Sequence, residues 1–252
     1  NYLNNIDFSD ARLVRTPVFH SRLHQFFNNV LIQIPDSIIR EADIILERAR
    51  ANSEVFRYTL TYITNNFERS QIMGMDAVFV HMVEKYYMTG QAFWVAEPQL
   101  QRITERAMAM KPTLIGNIAP DIAMSKPDGT SISLHSVESN FTILYFWDSE
   151  CSHCRRNTPL LKEFYTRMKP KGVEIFAVNT EADRARWIDY IVTNELNWIN
   201  VNDAHNQTGF REKYDIWSTP LLFVLDANKE IIAKKISVEQ AEDIINRELQ
   251  QP

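Results

Sequence analysis

The segment "YFWDSECSHCRRNTP", residues 145–159, contains both cysteines of the chain, Cys151 and Cys154, with two residues between them. An apolar run, "FTILYFW", leads into this segment and predicts a buried strand that ends at Trp147. The residues from Ser152 onward have the apolar spacing of a helix. A strand, a short polar turn and a helix in this order place Cys151 at the helix N-terminus and Cys154 one turn into the helix.

This placement prepares one of the two sulfurs for nucleophilic attack. Unpaired backbone N–H groups and the dipole at a helix N-terminus favour a thiolate, which is the species that attacks a disulfide. Cys154 lies on the same helix face, where its thiol can displace a captured partner from Cys151. A protonated His153 would strengthen this effect, whereas the carboxylates of Asp148 and Glu150 would raise the thiol pKa. The pattern is typical of a redox-active C-x-x-C pair, although the sequence leaves its redox potential open.

A threonine–proline pair further along the chain supports the same chemistry. Thr219 and Pro220 stand directly before the apolar run "LLFVL", which predicts a buried strand. We predict a cis proline at the entry of that strand, because a trans proline fits poorly there. If this proline faces Cys151, the backbone of Thr219 can hydrogen-bond an extended substrate segment as an added strand does. The alternative is a proline at an edge strand or a turn.

The composition limits the classes of function. The chain has 252 residues, of which 45% are hydrophobic and 23% charged, and its formal net charge is −5. These values are ordinary for a globular protein and, with no basic run in the sequence, they predict no nucleic-acid partner. No apolar stretch approaches the length that a membrane span requires, so none is expected in this chain. Two cysteines cannot build a disulfide framework, and their closeness is therefore informative.

The chain changes character near residue 112. Residues 1–112 carry apolar side chains at three- and four-residue spacings, which predicts an all-helical domain of unknown role. The segment "KPTLIGNIAPD" then brings two prolines and a glycine together, as is typical of a domain boundary, and residues 113–252 form a second domain. The predicted helices of the first domain cover residues 17–32, 35–52, about 53–68, about 74–89 and about 97–110.

The second domain alternates between predicted strands and helices. Such alternation predicts a central, mostly parallel sheet with covered faces, which is an α/β fold. The last two strands form a predicted hairpin across the polar turn "ANKE", and Ser237 is expected to cap the final helix with Gln240 three residues on. The predicted strands are "FTILYFW", "GVEIFAVNT", "WINVND", "PLLFVLD" and "IIAKKI", and the predicted helices are residues 152 to about 168, "ADRARWIDYIVTNEL" and "SVEQAEDIINREL".

Together these stretches resemble the TlpA/ResA-like branch of the thioredoxin superfamily, from about Leu114 to Leu249. The matching stretches are "IGNIAPD", "DGTSISL", "ILYFW", the C-x-x-C followed by "RRNTPLL", "GVEIFAV", "WIDYI", "WINVND" and "YDIWSTPLLFVLDANKEI". The resemblance implies a thioredoxin fold for the C-terminal half. The helical half is similar to an uncharacterised domain that precedes such modules in Bacteroides-type bacteria, through "NIDFSDARLVRTPVFHSRL" and "GMDAVFVHMVEKYY".

The resemblance also implies roles for individual residues. Cys151 is expected to be the attacking thiol, Cys154 the resolving thiol and Pro220 the cis proline. No cofactor is expected beyond a redox-active disulfide between the two cysteines, and no metal. The predicted site residues are Cys151, Cys154, His153 and Pro220 for catalysis, and Trp147, Thr219 and Pro220 for substrate binding.

The function that the resemblance implies is thiol–disulfide exchange with protein or peptide thiols and disulfides. Reduction or isomerisation of disulfides is favoured over their insertion, and a thiol protein upstream would supply electrons. The family's usual location is extracytoplasmic, in the periplasm or envelope of a bacterium. The alternative is a partner-binding or scaffolding module that has a thioredoxin-like fold and little redox activity.

Three positions depart from the family's pattern. Glu150 stands where a tryptophan usually precedes the first cysteine, Asn157 stands where an acidic residue often follows the second, and Tyr145 replaces the buried aspartate of ordinary thioredoxins. These changes leave open how the Cys154 thiol loses its proton. Asp148, Glu150 and a water molecule are the candidates that the sequence offers.

Other interpretations of the two cysteines fit the sequence less well. A structural zinc site needs about four ligands, but there is no second C-x-x-C, and His135 and His205 lie far along the chain. A peroxide-reducing enzyme would carry proline and threonine where Leu144 and Asp148 stand. Two inert core thiols would not sit in a segment as polar as "DSECSHCRRN". The remaining pair at metal-ligand spacing lacks a third ligand nearby and is expected to be solvated or packed: His20 and His24.

Overall fold

The structure is a computed structural model that describes residues 2–203 and 207–250. The chain divides into two units, of which the first ends at Lys111 and the second begins at Pro112. Within the described part of the chain, no helix is both long and apolar enough to cross a membrane.

The first unit is helical, as the spacing of its apolar residues predicts. Prolines stand in the first turns of α1, α2 and α5, where the missing N–H costs no hydrogen bond. The Asn52 side chain caps α3 by accepting hydrogen bonds from two backbone N–H groups. Short π-helical turns extend α1 over Phe26–Val30 and α4 over Val83–Tyr87. The helices are α1 (Pro17–Gln25), α2 (Pro35–Ala49), α3 (Ser53–Glu68), α4 (Asp76–Met82) and α5 (Glu97–Met110).

The second unit is built on a sheet whose strands run in the spatial order β2-β1-β5-β4-β3-β6-β7. Only the pairs β3–β4 and β4–β5 are parallel, and the other neighbours are antiparallel. The prediction of a mostly parallel sheet is therefore wrong. The tight hairpins β1–β2 and β6–β7 can join only antiparallel strands, and each hairpin also pairs antiparallel with its central neighbour, β5 or β3. The strands are β1 (Ala123–Ser125), β2 (Ser131–Ser133), β3 (Phe141–Trp147), β4 (Val173–Asn179), β5 (Ile199–Asn202), β6 (Leu221–Leu225) and β7 (Ile231–Lys234).

Helices, together with the segment that precedes β3, cover both faces of this sheet. Alternate residues of β3 point to opposite faces, so Ile143 and Tyr145 join one apolar cluster while Leu144 and Phe146 join the other. Side chains of α6, α7 and α9 complete the first cluster, and Phe210 of α8 belongs to the second. The helices are α6 (Ser152–Met168), α7 (Arg184–Asn194), α8 (Phe210–Lys213) and α9 (Val238–Glu248).

The topology brings three chain segments to one edge of the sheet. β3 and β4 are parallel neighbours, so their C-terminal ends at Trp147 and Asn179 lie side by side. β6 runs antiparallel to β3 on its other side, with Leu221 opposite Phe146, so the start of β6 reaches the same edge. The loop before α6, the loop after β4 and the loop before β6 therefore meet there.

Candidate active site

Cys151 is the residue that caps α6. The backbone of Cys151 is extended, with φ −69° and ψ 116°, and its Sγ accepts a hydrogen bond from the backbone N–H of Cys154 at 3.4 Å. This N–H is one of those that a helix N-terminus leaves without a partner inside the helix. Both cysteines are free thiols; Cys151 is half-buried, whereas Cys154 is 1% exposed. The predicted start of the helix at Ser152 is confirmed.

The threonine–proline pair lies opposite this sulfur. The Thr219–Pro220 peptide bond is cis and directly precedes β6. The Cys151 thiol donates a hydrogen bond to the carbonyl oxygen of Thr219, with 3.3 Å between sulfur and oxygen. Two residues far apart in the sequence thus share one site, and both Thr219 and Pro220 remain partly exposed beside the sulfur.

The surroundings of the two sulfurs separate their acidities. Burial opposes ionisation of Cys151, but hydrogen bonds from the thiol and backbone N–H of Cys154, and from the Thr219 hydroxyl, outweigh it, so the pKa of Cys151 is lowered. Burial, together with its hydrogen bond to Cys151, raises the pKa of the Cys154 thiol to about 12. Cys151 is therefore the sulfur that ionises first, and Cys154 retains its proton at neutral pH.

The backbone and the ring of His153 contact different groups. The backbone N–H of His153 is among the groups that lower the pKa of Cys151. Its exposed imidazole Nδ1 lies 2.8 Å from Nη2 of Arg156. Because a guanidinium can only donate, this ring nitrogen is the acceptor in the contact with Arg156.

Two tryptophans adjoin the site residues in sequence, and one is buried while the other is exposed. Trp147 is 2% exposed, and its ring packs against that of Tyr190 with centroids 5.2 Å apart. The prediction that the Trp147 side chain binds substrate is wrong, because this side chain is enclosed in the core and exposes almost no surface to a substrate. Trp217 is 82% exposed and stands two residues before Thr219, and its indole N–H donates to Asp215 at 2.6 Å. The signal that could have identified Trp217 is this position beside the threonine–proline pair.

Comparison with known proteins identifies the C-terminal half. A sequence profile described as thioredoxin-like matches residues 139–231. A domain of a possible thiol-disulfide isomerase from Cytophaga hutchinsonii has 39% sequence identity and a TM-score of 0.52, covering 94% of that chain and 54% of this one. The C-terminal half of this chain belongs to the thioredoxin-like family.

Further relatives agree with this thioredoxin-like assignment. A protein named thiol-disulfide oxidoreductase ResA, from Bacillus cereus, is 26% identical over 130 residues, covering 52% of this chain and 74% of that protein. A thioredoxin-like protein from Bacteroides caccae matches 99% of this chain and 90% of its own, with a TM-score of 0.72 and 17% identity, which shows the fold alone. The predicted combination of a thioredoxin fold with a preceding helical domain is thus confirmed.

A pair of half-buried carboxyl groups lies beside the loop before the cysteines in this thioredoxin-like site. Glu181 follows β4 and accepts a hydrogen bond from the backbone N–H of Ser149, and its carboxyl lies beside that of Asp148. Its Oε2 atom is buried and receives no hydrogen bond from the described residues. Burial raises the pKa of Glu181, and the neighbouring Asp148 charge raises it further.

The sequence did not single out Glu181, although a signal for it exists. Residues directly after parallel neighbouring strands meet at one sheet edge, and Glu181 comes two residues after β4. Of the two carboxylates that the sequence did consider, Glu150 is exposed and forms an ion pair with Arg186 of α7. Burial also raises the pKa of Tyr145, so its hydroxyl near both sulfurs stays protonated.

Among the residues that the structure describes, no group of three or more His, Cys, Asp or Glu side chains is arranged to bind a metal ion. His135 uses its ring Nε2 to contact the Ala119 carbonyl oxygen at 2.7 Å. His205 lies outside the described residues. His20 and His24 contact tyrosine and asparagine side chains in the helical unit.

Proposed function

We propose that this protein is a thiol–disulfide oxidoreductase that exchanges disulfides with other polypeptides through Cys151 and Cys154. The observation that carries the proposal is the position of the Cys151 sulfur. It caps a helix, accepts the N–H of Cys154 and faces the Thr219 carbonyl, while remaining partly exposed. The named activities of the ResA protein and of the Cytophaga domain support the same conclusion.

The reaction follows from the unequal acidity of the two thiols. The Cys151 thiolate attacks one sulfur of a substrate disulfide; a bond forms between these sulfurs, the substrate S–S bond breaks, and the other substrate sulfur leaves as a thiolate that takes up a proton. Cys154 then loses its proton and attacks Cys151, which releases the second substrate thiol. The substrate gains two electrons and two protons, and the protein is left with a Cys151–Cys154 disulfide.

A thiol protein upstream returns two electrons to that disulfide and completes the cycle. In the thiolate form, Cys151 no longer has the proton that it donates to the Thr219 carbonyl, so this oxygen is free to accept an N–H from an extended substrate. The substrate class is therefore a polypeptide whose cysteine lies in an extended, accessible segment. Reduction or isomerisation is the direction we propose, together with an extracytoplasmic location, as the resemblance to the ResA type implies.

Trapping tests the proposal directly. A Cys154→Ala variant retains the attacking sulfur and loses the resolving one, so it should accumulate mixed disulfides on Cys151 that non-reducing gels and mass spectrometry identify. The matched control is Cys151→Ser, which should trap nothing. A partner that still binds Cys151→Ser, with no disulfide attacked by the unmodified chain, would instead support the scaffolding alternative.

A redox titration measures the direction of exchange. Equilibration of the unmodified protein with glutathione buffers, followed by alkylation and mass spectrometry, should show one reversible two-electron couple. A potential below that of glutathione supports reduction, and one well above it supports oxidation. Absence of a reversible couple contradicts the proposed activity.

A further inference from the structure

The helical unit contains a cavity that the exchange chemistry does not use. It has a volume of about 690 Å³ and is lined by side chains of α1 and α3 and of the segment that follows α3. This volume is within the range of cavities that hold small molecules. The two histidines at helical spacing that the sequence analysis noted, His20 and His24, line one side of the cavity.

A ladder of polar side chains joins α1 to α3 along this cavity. Three residues of α1 and its π-helical extension, four positions apart, meet three residues of α3 with the same spacing. The distances are 2.9 Å from His20 Nδ1 to the Tyr58 hydroxyl, 3.4 Å from His24 Nδ1 to the Tyr62 hydroxyl, and 3.1 Å from Asn66 Nδ2 to Asn28 Oδ1. Burial raises the pKa of Tyr62 to about 12, so its hydroxyl stays protonated at neutral pH. The ladder fixes the side chains that line the cavity.

The cavity offers polar donors to a ligand. The Asn28 amide nitrogen lies 3.2 Å from His24 Nδ1 and can only donate, so His24 carries its proton on Nε2. The guanidinium of Arg69 and the amide of Asn65 also line the cavity, and neither side chain has a hydrogen bond or ion pair to the residues that the structure describes. No carboxylate is among the residues that line the cavity.

This lining suits a ligand that combines an anionic group with a planar apolar group. Arg69 and the neighbouring N–H donors match a carboxylate, since a guanidinium presents paired donors to its two oxygens. The rings of His20 and Tyr62 stand edge to face with centroids 5.3 Å apart and, with the half-exposed Ile72, offer ring edges and apolar surface to the rest of the ligand. Metal cations are disfavoured, because the cavity has no acidic ligand.

We propose that the helical unit binds small aromatic carboxylates in this cavity, with Arg69 and Asn65 on the carboxylate and the histidine–tyrosine rings against the aromatic group. The proposal is independent of the exchange reaction, because each of its residues lies in the first unit. It assigns the helical unit a ligand-binding role.

The test uses the full chain and benzoate as the probe, with benzamide as the uncharged ligand of the same shape. Saturation-transfer NMR titrations should show saturable binding of benzoate with a dissociation constant of about 1–10 mM, as expected for so small a ligand, and at least tenfold weaker binding of benzamide. Arg69→Gln should weaken benzoate binding at least tenfold, and Asn65→Asp should do the same by placing a carboxylate in the cavity. Both side chains are exposed, so these variants should fold normally, which circular dichroism checks.

Arg40→Gln is the control, since Arg40 is an exposed arginine of α2 that does not line the cavity. Benzoate affinity in this variant should equal that of the unmodified chain. The proposal is overturned if benzoate shows no saturable binding up to about 100 mM, if benzamide binds equally well, or if Arg40→Gln weakens binding as much as Arg69→Gln does.

Discussion

At the scale of single residues, the two sulfurs differ because their surroundings differ. Cys151 is reachable and receives hydrogen bonds that stabilise its thiolate, while Cys154 is enclosed and keeps its proton. We therefore expect iodoacetamide at about pH 7 to alkylate Cys151 alone in the folded protein, and both cysteines after unfolding. Mass spectrometry of tryptic peptides measures this. Equal modification of the two cysteines in the folded chain would contradict the assigned roles.

The hydroxyl of Thr219 contributes to this difference in acidity. It donates to the Cys151 thiolate, so its loss should raise the pKa of Cys151 and slow alkylation severalfold near pH 7. Thr219→Val removes the hydroxyl and conserves the shape of the side chain. The pH dependence of alkylation should shift to higher pH in this variant and stay unchanged in Thr193→Val, a control at an exposed position of α7. An unshifted profile in Thr219→Val would exclude this role.

Glu181 gives the site a second titrating group, whose effect on stability has a definite sign. Burial and Asp148 raise the pKa of Glu181, so the folded chain binds this proton more tightly than the unfolded chain. This stabilisation is present at low pH and is lost as the pH rises through the folded-state pKa. Glutamine cannot ionise, yet it can accept from Ser149 and donate to Asp148. Glu181→Gln should therefore raise Tm at about pH 8 and leave it unchanged at about pH 4.

Thermal unfolding followed by circular dichroism at both pH values measures this effect. The control is Glu163→Gln, whose carboxylate on α6 is 70% exposed and should affect Tm little at either pH. An equal rise in Tm at both pH values in Glu181→Gln would show that the change comes from packing and not from the proton.

The sequence predicted the residues of the site unevenly. Cys151, Cys154 and the threonine–proline pair were recognisable because their types and local context carry the chemistry. Glu181 was not, because a lone glutamate after a strand has no distinctive pattern, and its importance arises from the loop that the fold places beside it. Trp147 was misassigned because proximity in sequence to the cysteines does not reveal which way a strand residue faces.

At the scale of elements, local signals defined most helices and strands well. The predicted segment 152–168 and the structural helix agree even though Pro159 lies inside it. Strands β6 and β7 form the predicted hairpin, and the polar turn "ANKE" lies between them. The short strands β1 and β2, with three residues each, lacked enough alternation to be recognised. The order of strands in the sheet depends on contacts between distant segments, which periodicity does not record.

The capping box of α9 is one local signal with a measurable effect. Ser237 accepts the N–H of Gln240, and the Gln240 side chain accepts the N–H of Ser237. Ser237→Ala should lower the free energy of unfolding by about 1 kcal/mol, because it leaves a helix N–H without its partner. Denaturant unfolding of the second unit measures the change. Ser237→Asp, which keeps an acceptor at the cap, should recover most of it, and no loss in the alanine variant would show that the box contributes little.

At the scale of the whole molecule, the two sites proposed here lie in different units. The groups that hydrogen-bond the cysteine sulfurs lie in the second unit, and the residues that line the carboxylate cavity lie in the first. The apolar clusters on the two faces of the sheet also draw only on residues of the second unit. Because a unit with its own core can fold alone, the exchange activity should be separable from the helical unit.

A chain that begins at Pro112 tests this separation. We expect it to fold, to give one cooperative melting transition, and to keep a redox potential within about 30 mV of the full chain, which corresponds to a tenfold change in the exchange equilibrium. The glutathione titration applied to both chains makes the comparison, and benzoate binding should be absent from the shorter one. A folded fragment with a potential shifted by more than this amount would mean that the helical unit tunes the cysteine pair. An unfolded fragment would mean that the core of the second unit needs the first.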